Sequence, residues 1–133
     1  MGLAALRLLL DTHAFLWWLD GDRRLSRRAR LLVGDERNEI FVSAASAWEI
    51  TTKARLGKLP GAADVAADVP GAVASQNFLP LAISLGHAQA AGRLGGAHRD
   101  PFDRMLAAQS LIEGMPLVTN DAAFQSFSVP AVW

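Results

Sequence analysis

The sequence predicts an α/β fold in which a mostly parallel sheet is covered by helices on both faces. Two observations carry this. Short, uninterrupted apolar runs such as Leu8-Leu9-Leu10 lack the polar alternation of a half-solvated strand and read as strands buried on both sides. These runs alternate along the chain with longer segments of helical pattern, several of them opened by a capping residue, as βα units require. The 133 residues and 51% hydrophobic content suffice for one substantial core, so residues 1–133 are expected to form a single domain.

The elements follow in order. Leu8–Leu10 is the first strand, and Asp11 or Thr12 caps the helix Ala14–Leu19, which Gly21-Asp22 breaks. Ser26 caps a second helix, Arg27–Val33. Glu39–Ser43 is a strand, followed by the helix Ala45–Leu56 ending at Gly57. Lys58–Asn77 carries Pro60, Gly61, Pro70 and Gly71, which limits it to short helical turns. Phe78–Ile83 reads as a strand, placed at an edge by Pro80. Ser84 caps a helix to about Leu94, Gly95-Gly96-Ala97 is a loop, and Asp100-Pro101 opens a helix ending at Glu113-Gly114. Leu117–Thr119 is a strand, Ala122–Gln125 a short helix and Val129–Trp133 a last strand.

Composition narrows the function. A formal net charge of +0 argues against a protein that coats nucleic acid, though not against a nuclease, whose acidic site cancels basic residues elsewhere. The absence of cysteine excludes disulfides, thiolate zinc sites and a cysteine nucleophile, and suits a reducing cytoplasm. Met1–Leu10 has too short an apolar stretch for a signal peptide, and no segment approaches the roughly 18 apolar residues of a membrane span. A cytoplasmic location without membrane association is expected.

Four acids stand out by position. Asp11 ends the first strand and Asp121 follows Leu117-Val118-Thr119, so both sit at the carboxyl ends of parallel strands, where ligands bind in such sheets. Glu49 and Asp103, on the helices that follow strands, are within reach of the same rim. Carboxylates gathered in a low-dielectric pocket repel one another and need protons or a divalent cation. Each acid also has an ordinary explanation. Asp11 reads as a helix cap and Asp121 as the cap of a short helix, a role open equally to Asn120; Glu49 reads by spacing as an exposed i,i+4 partner of Lys53, although Trp48 and Ile50 beside it point to a mostly buried helix. Asp100, just before Pro101, takes the capping role in its helix and leaves Asp103 for chemistry.

Other side chains carry weaker signals. His13 lies near Asp11 but reads first as a packed or surface residue, and His87 and His98 lack the spacing of a zinc pair. No Gly-x-Ser-x-Gly elbow, Walker loop or dinucleotide fingerprint occurs. Arg23, Arg24, Arg27, Arg28, Arg30 and Arg37 form a solvated basic face; Lys53, Arg55, Arg99 and Arg104 are further candidates for phosphate contact, and Arg104 also for holding Asp103. Phe15–Leu19 is apolar around most of its circumference, which suggests a partner contact as well as core packing.

In order and spacing, Leu9-Leu10-Asp11-Thr12-His13, Trp17-Trp18-Leu19, Phe41–Ser46, Trp48-Glu49-Ile50, Lys53–Leu59, Asp100-Pro101-Phe102-Asp103-Arg104, Leu117–Asp121 with Phe124, and Val129–Trp133 resemble the PIN-domain proteins, specifically the VapC-type toxin ribonucleases. The resemblance covers nearly the whole chain, most loosely at Pro60–Asn77 and Gly95-Gly96-Ala97. It implies a three-layer α/β/α sandwich and endoribonuclease activity at an acidic pocket holding Mg²⁺ or Mn²⁺. It maps the family's four acids, catalytic and metal-binding, to Asp11, Glu49, Asp103 and Asp121. It also implies RNA as substrate, a cognate antitoxin as partner and a homodimer. Two alternatives stand beside it: a binding module held in an antitoxin complex with little activity of its own, and a Mg²⁺-dependent phosphatase with Asp11 as nucleophile. The second is weakened because the second Asp of haloacid-dehalogenase-type phosphatases would fall at His13.

Overall fold

The computed structural model describes residues 5–133; the part of the Met1–Leu10 reading that concerns residues 1–4 lies outside them. Five strands, β1 (Arg7–Leu10), β2 (Glu39–Ser43), β3 (Leu79–Leu81), β4 (Leu117–Val118) and β5 (Ala131–Val132), form one sheet in the order β3-β2-β1-β4-β5. Every pairing is parallel, so the mostly parallel sheet is wholly parallel among the described residues.

Strand periodicity explains the two cores. Leu8 and Leu10 of β1, with Ile40 and Val42 of β2 and Val118 of β4, face a cluster built on α1 (Thr12–Asp20), α2 (Arg27–Gly34), Ile50 of α3 (Ala44–Arg55), and Val69 and Val73 of α5 (Val69–Ser75). The short α4 (Ala63–Ala67) adds Val65 and Ala66 at its margin. Leu9 and Leu117 point the other way, with Phe41 at the margin, into a cluster with Leu106 and Ala107 of α7 (Pro101–Glu113) and with Phe124 and Phe127 of the 3₁₀ helix Ala122–Phe127. Helix α6 (Leu85–Arg93) packs beside α7. Both faces of the sheet are therefore covered, as the unbroken apolar strands require.

Most boundaries fall within one or two residues of expectation; three elements differ in length or type for a visible reason. The strand expected over Phe78–Ile83 is confined to Leu79–Leu81, because Phe78 turns into the first core and the Ala82 carbonyl leaves the sheet to accept from Gln109 Nε2 at 3.2 Å. The last strand, expected over Val129–Trp133, is limited to Ala131–Val132 because its neighbour β4 offers only Leu117 and Val118 for pairing. The short helix expected at Ala122–Gln125 is a 3₁₀ helix reaching Phe127. Pro80 does lie on an edge strand, where proline is tolerated within a sheet.

The excess of apolar surface expected on α1 is largely used within the chain. Trp17 packs edge-on against Trp133 at 5.9 Å and beneath the Arg24 guanidinium at 4.9 Å. Trp18 donates to Gln76 Oε1 at 3.0 Å and packs against Phe78. This helix therefore lends no separate support to a dimer.

Candidate active site

The sheet order sets the place of the site. From β1 the chain runs to β2 on one side and later to β4 on the other, so a crevice opens beyond the carboxyl end of β1. Asp11 is the first residue past that end. Its backbone N–H donates to the Val118 carbonyl of β4 at 3.1 Å, and its Oδ1 accepts from Ala14 N–H at 2.7 Å as the N-cap of α1. Burial raises its pKa to about 6, against the lowering influence of Thr119, of the Ala14 N–H and of His13, while Asp103 adds to the rise. The capping and chemical readings of Asp11 thus describe one carboxylate, with Oδ1 on the helix and Oδ2 free of hydrogen bonds to described backbone groups.

Glu49 sits one strand away on α3, only 3% exposed. The exposed ion pair expected from its spacing to Lys53 is instead a buried arrangement. Thr12 Oγ1 donates to Glu49 Oε1 at 2.6 Å, Ser46 Oγ lies 2.9 Å from the same hydroxyl, and Lys53 Nζ pairs with Glu49 Oε2. Both Glu49 oxygens are engaged before any ligand is considered. Partial burial works against the charge of Lys53, but Glu49, and more weakly Asp100 and Asp103, outweigh it and raise the ammonium pKa.

Asp100 caps α7, its Oδ1 accepting from Phe102 N–H at 2.8 Å and Asp103 N–H at 3.3 Å, with Pro101 in the first turn. Asp103 therefore stands in that first turn, partly buried, as the sequence assigned it. Its Oδ2 accepts from His98 Nε2 at 2.8 Å. Burial raises its pKa, His98 lowers it, and Asp100 and Glu49 push it up. Asp121 follows β4 and caps the 3₁₀ helix through Ala123 N–H at 2.9 Å, with its own N–H held by Thr119 Oγ1 at 3.0 Å.

All four predicted acids line one small cavity of about 100 Å³, together with Asp100, Lys53, Thr12 and His13. Its lining holds five carboxylates against one lysine, an excess of hard oxygen donors that suits Mg²⁺ or Mn²⁺. Among the described residues, no three carboxylate or imidazole groups are drawn together as a ready-made cage. Mg²⁺ does not need one, since it keeps several waters and binds through one or two carboxylates. Burial is the main cause of the raised pKa of both Asp11 and Asp103, and neighbouring carboxylates add to it.

The comparisons with known proteins agree with this architecture. Residues 8–129 match the profile of the PIN domain, which covers all four acids. The chain belongs to the PIN-domain family. Ribonuclease VapC16 of Mycobacterium tuberculosis is 45% identical over 58 residues, 44% of this PIN domain and 41% of that protein, so the match spans less than half of either chain. The crystal structure of VapBC2 from Rickettsia felis, bound to a DNA fragment from its promoter, matches with a TM-score of 0.70. It covers 96% of this chain and 98% of that one at 15% identity, a likeness of fold.

Within this PIN domain, the sequence reading missed two participants and misplaced a third residue. Thr12 was seen only as a possible cap, yet its hydroxyl anchors Glu49. His98 had no periodic spacing to mark it and came to Asp103 through a loop. Arg104, expected to hold Asp103 or meet substrate, makes no hydrogen bond to Asp103: its guanidinium donates to the carbonyls of Ala91, Leu94 and His98.

Proposed function

We propose that this PIN domain is a metal-dependent endoribonuclease, the toxin of a toxin–antitoxin pair, acting in the cytoplasm on RNA and held by a cognate antitoxin. The observation that carries the nuclease reading is the convergence of Asp11, Glu49, Asp103 and Asp121, from four separate elements, on one cavity beyond the central strand. The toxin assignment draws on the sequence resemblance and on the 58-residue likeness to a protein named as a VapC ribonuclease. A homodimer belongs to the same proposal on the resemblance alone.

In this scheme Asp11 and Asp103 hold Mg²⁺ or Mn²⁺, directly or through water, and Asp121 completes or tunes the site. When bound, such an ion acidifies its water and shields the charge that develops on the phosphate. The protein's own groups do the positioning. The α1 N-terminus fixes one oxygen of Asp11, leaving the other directed by the strand end. Glu49, with both oxygens engaged by Thr12 and Lys53, is better suited to orienting the attacking water than to ligating a second ion. Lys53, inside the cavity, offers a fixed positive charge to the RNA phosphate. In-line attack by water breaks the P–O3′ bond and leaves a 5′-phosphate and a 3′-hydroxyl.

A phosphatase with Asp11 as nucleophile is poorly served here, because one Asp11 oxygen is committed to the helix and the neighbouring acid position is the exposed His13. The deciding experiment incubates the purified chain with a mixed pool of structured RNA in Mg²⁺, Mn²⁺ or EDTA, beside Asp11→Asn and Asp103→Asn. Cleavage that needs the cation and disappears in both variants is expected. Cleavage that persists in both would remove the site from the reaction, and a folded chain that binds antitoxin but cuts no RNA would favour the binding module.

A further inference from the structure

We propose that His98 is the positioning residue for Asp103, holding one carboxylate oxygen so that the other is presented to the cavity; this rests on Asp103 belonging to the metal site proposed above. Three observations lead to it. First, the contact is direct. His98 Nε2 lies 2.8 Å from Asp103 Oδ2, and because the partner is a carboxylate oxygen, Nε2 carries the hydrogen and donates. Second, Asp103 is otherwise fixed only through its backbone, by the Asp100 cap; among the described residues its Oδ1 takes no hydrogen bond. Its side-chain orientation therefore depends on the imidazole.

Third, the loop that carries His98 is secured without the help of His98's own side chain. Arg104, one residue beyond Asp103 on α7, donates Nε to the Ala91 carbonyl at 3.1 Å and Nη1 to the His98 carbonyl at 3.0 Å, and Nη2 to the Leu94 carbonyl. The guanidinium also lies 5.7 Å over the Phe127 ring, and the His98 ring stands 5.8 Å from the same phenylalanine. The turn itself needs Gly96, whose φ of 92° is open to glycine and strained for other residues. An ion pair that merely stabilised this loop would duplicate what Arg104 already does. The imidazole adds something else: a directional N–H on a half-buried carboxylate, the arrangement by which outer groups orient metal-ligating carboxylates.

The test compares the full chain with His98→Ala, His98→Gln and Asp103→Asn. Mn²⁺ affinity is read by electron paramagnetic resonance titration, and kcat and KM by RNA cleavage. His98→Ala is expected to weaken Mn²⁺ binding and lower kcat by about 10–100-fold, with KM for RNA little changed. His98→Gln, which keeps an N–H within reach of Oδ2, is expected to recover most of both. If the alanine variant is unstable, His98→Leu fills the space against Phe127 without a donor and takes its place. Unchanged Mn²⁺ affinity on losing the imidazole, while Asp103→Asn abolishes binding, would overturn the role of His98 and leave the site standing. Equal losses in the donor-free variant and in His98→Gln would overturn the donor argument. Unchanged binding in Asp103→Asn as well would overturn the site assignment itself, and the positioning role with it.

Discussion

At the scale of single residues, Glu49 shows how far a local pattern reaches. Its spacing to Lys53 suggested a solvated ion pair, whereas its neighbours Trp48 and Ile50 suggested burial, and burial won because Thr12 arrives from α1 to satisfy the carboxylate. That hydroxyl lies 37 residues away in sequence, so nothing local announces it. A buried carboxylate deprived of a donor pays its desolvation in full. Thr12→Val, nearly the same shape without the hydroxyl, is expected to lower unfolding stability by roughly 1–3 kcal/mol in a urea titration. Thr12→Ser should stay close to wild type. Equal stability of all three proteins would mean that Glu49 finds another partner.

At the scale of elements, the helices were more legible than the strands. Caps at Asp11, Ser26, Ser84 and Asp100 fix helix starts chemically, and each one accepts the expected backbone N–H. Strand lengths are set by neighbours. β5 could not be measured from its own residues, because the two-residue β4 decides how much of it pairs. The acids at strand ends were legible because they closely follow the apolar runs of β1 and β4; His98 was not, because its role comes from a loop shape that Gly96 and Arg104 produce together. Asp100 offers a test of the cap itself. Asp100→Ala leaves the N–H groups of Phe102 and Asp103 without their acceptor and should cost about 1 kcal/mol, read as a fall in melting temperature. Asp100→Asn or Asp100→Ser should recover most of it.

For the whole molecule, a formal charge of +0 hides a strongly uneven interior. Asp11 has a folded pKa of about 6 against 3.8 as its ordinary value, so between those pH values the folded chain binds the extra proton. Stability from this group is therefore greatest when it is protonated, and is lost as pH rises from about 4 to about 6. Ionised Asp11 then costs on the order of 3 kcal/mol at pH 7 without a cation. Thermal scans in EDTA should show Asp11→Asn more stable than wild type at pH 7, with the gap closing on acidification towards pH 4. Subtracting the variant's profile removes carboxylates of opposite sense, such as Asp22 and Asp35, whose pKa values arginine partners lower. Saturating Mn²⁺ should raise the wild-type melting temperature at pH 7, by an amount equivalent to about 2.7 kcal/mol at 100 times its Kd. A variant no more stable than wild type in EDTA at pH 7 would place no ionisation cost on Asp11.

The order in which the sheet closes bears on the protein's synthesis. β1 precedes β4 in the chain, yet the Asp11 backbone is pinned by Val118 of β4, the strand that is followed by Asp121. The central strand waits for a neighbour that follows every other acid-bearing element in the chain. In the nuclease proposed above, the pocket would therefore stay incomplete until β4 and Asp121 have been made.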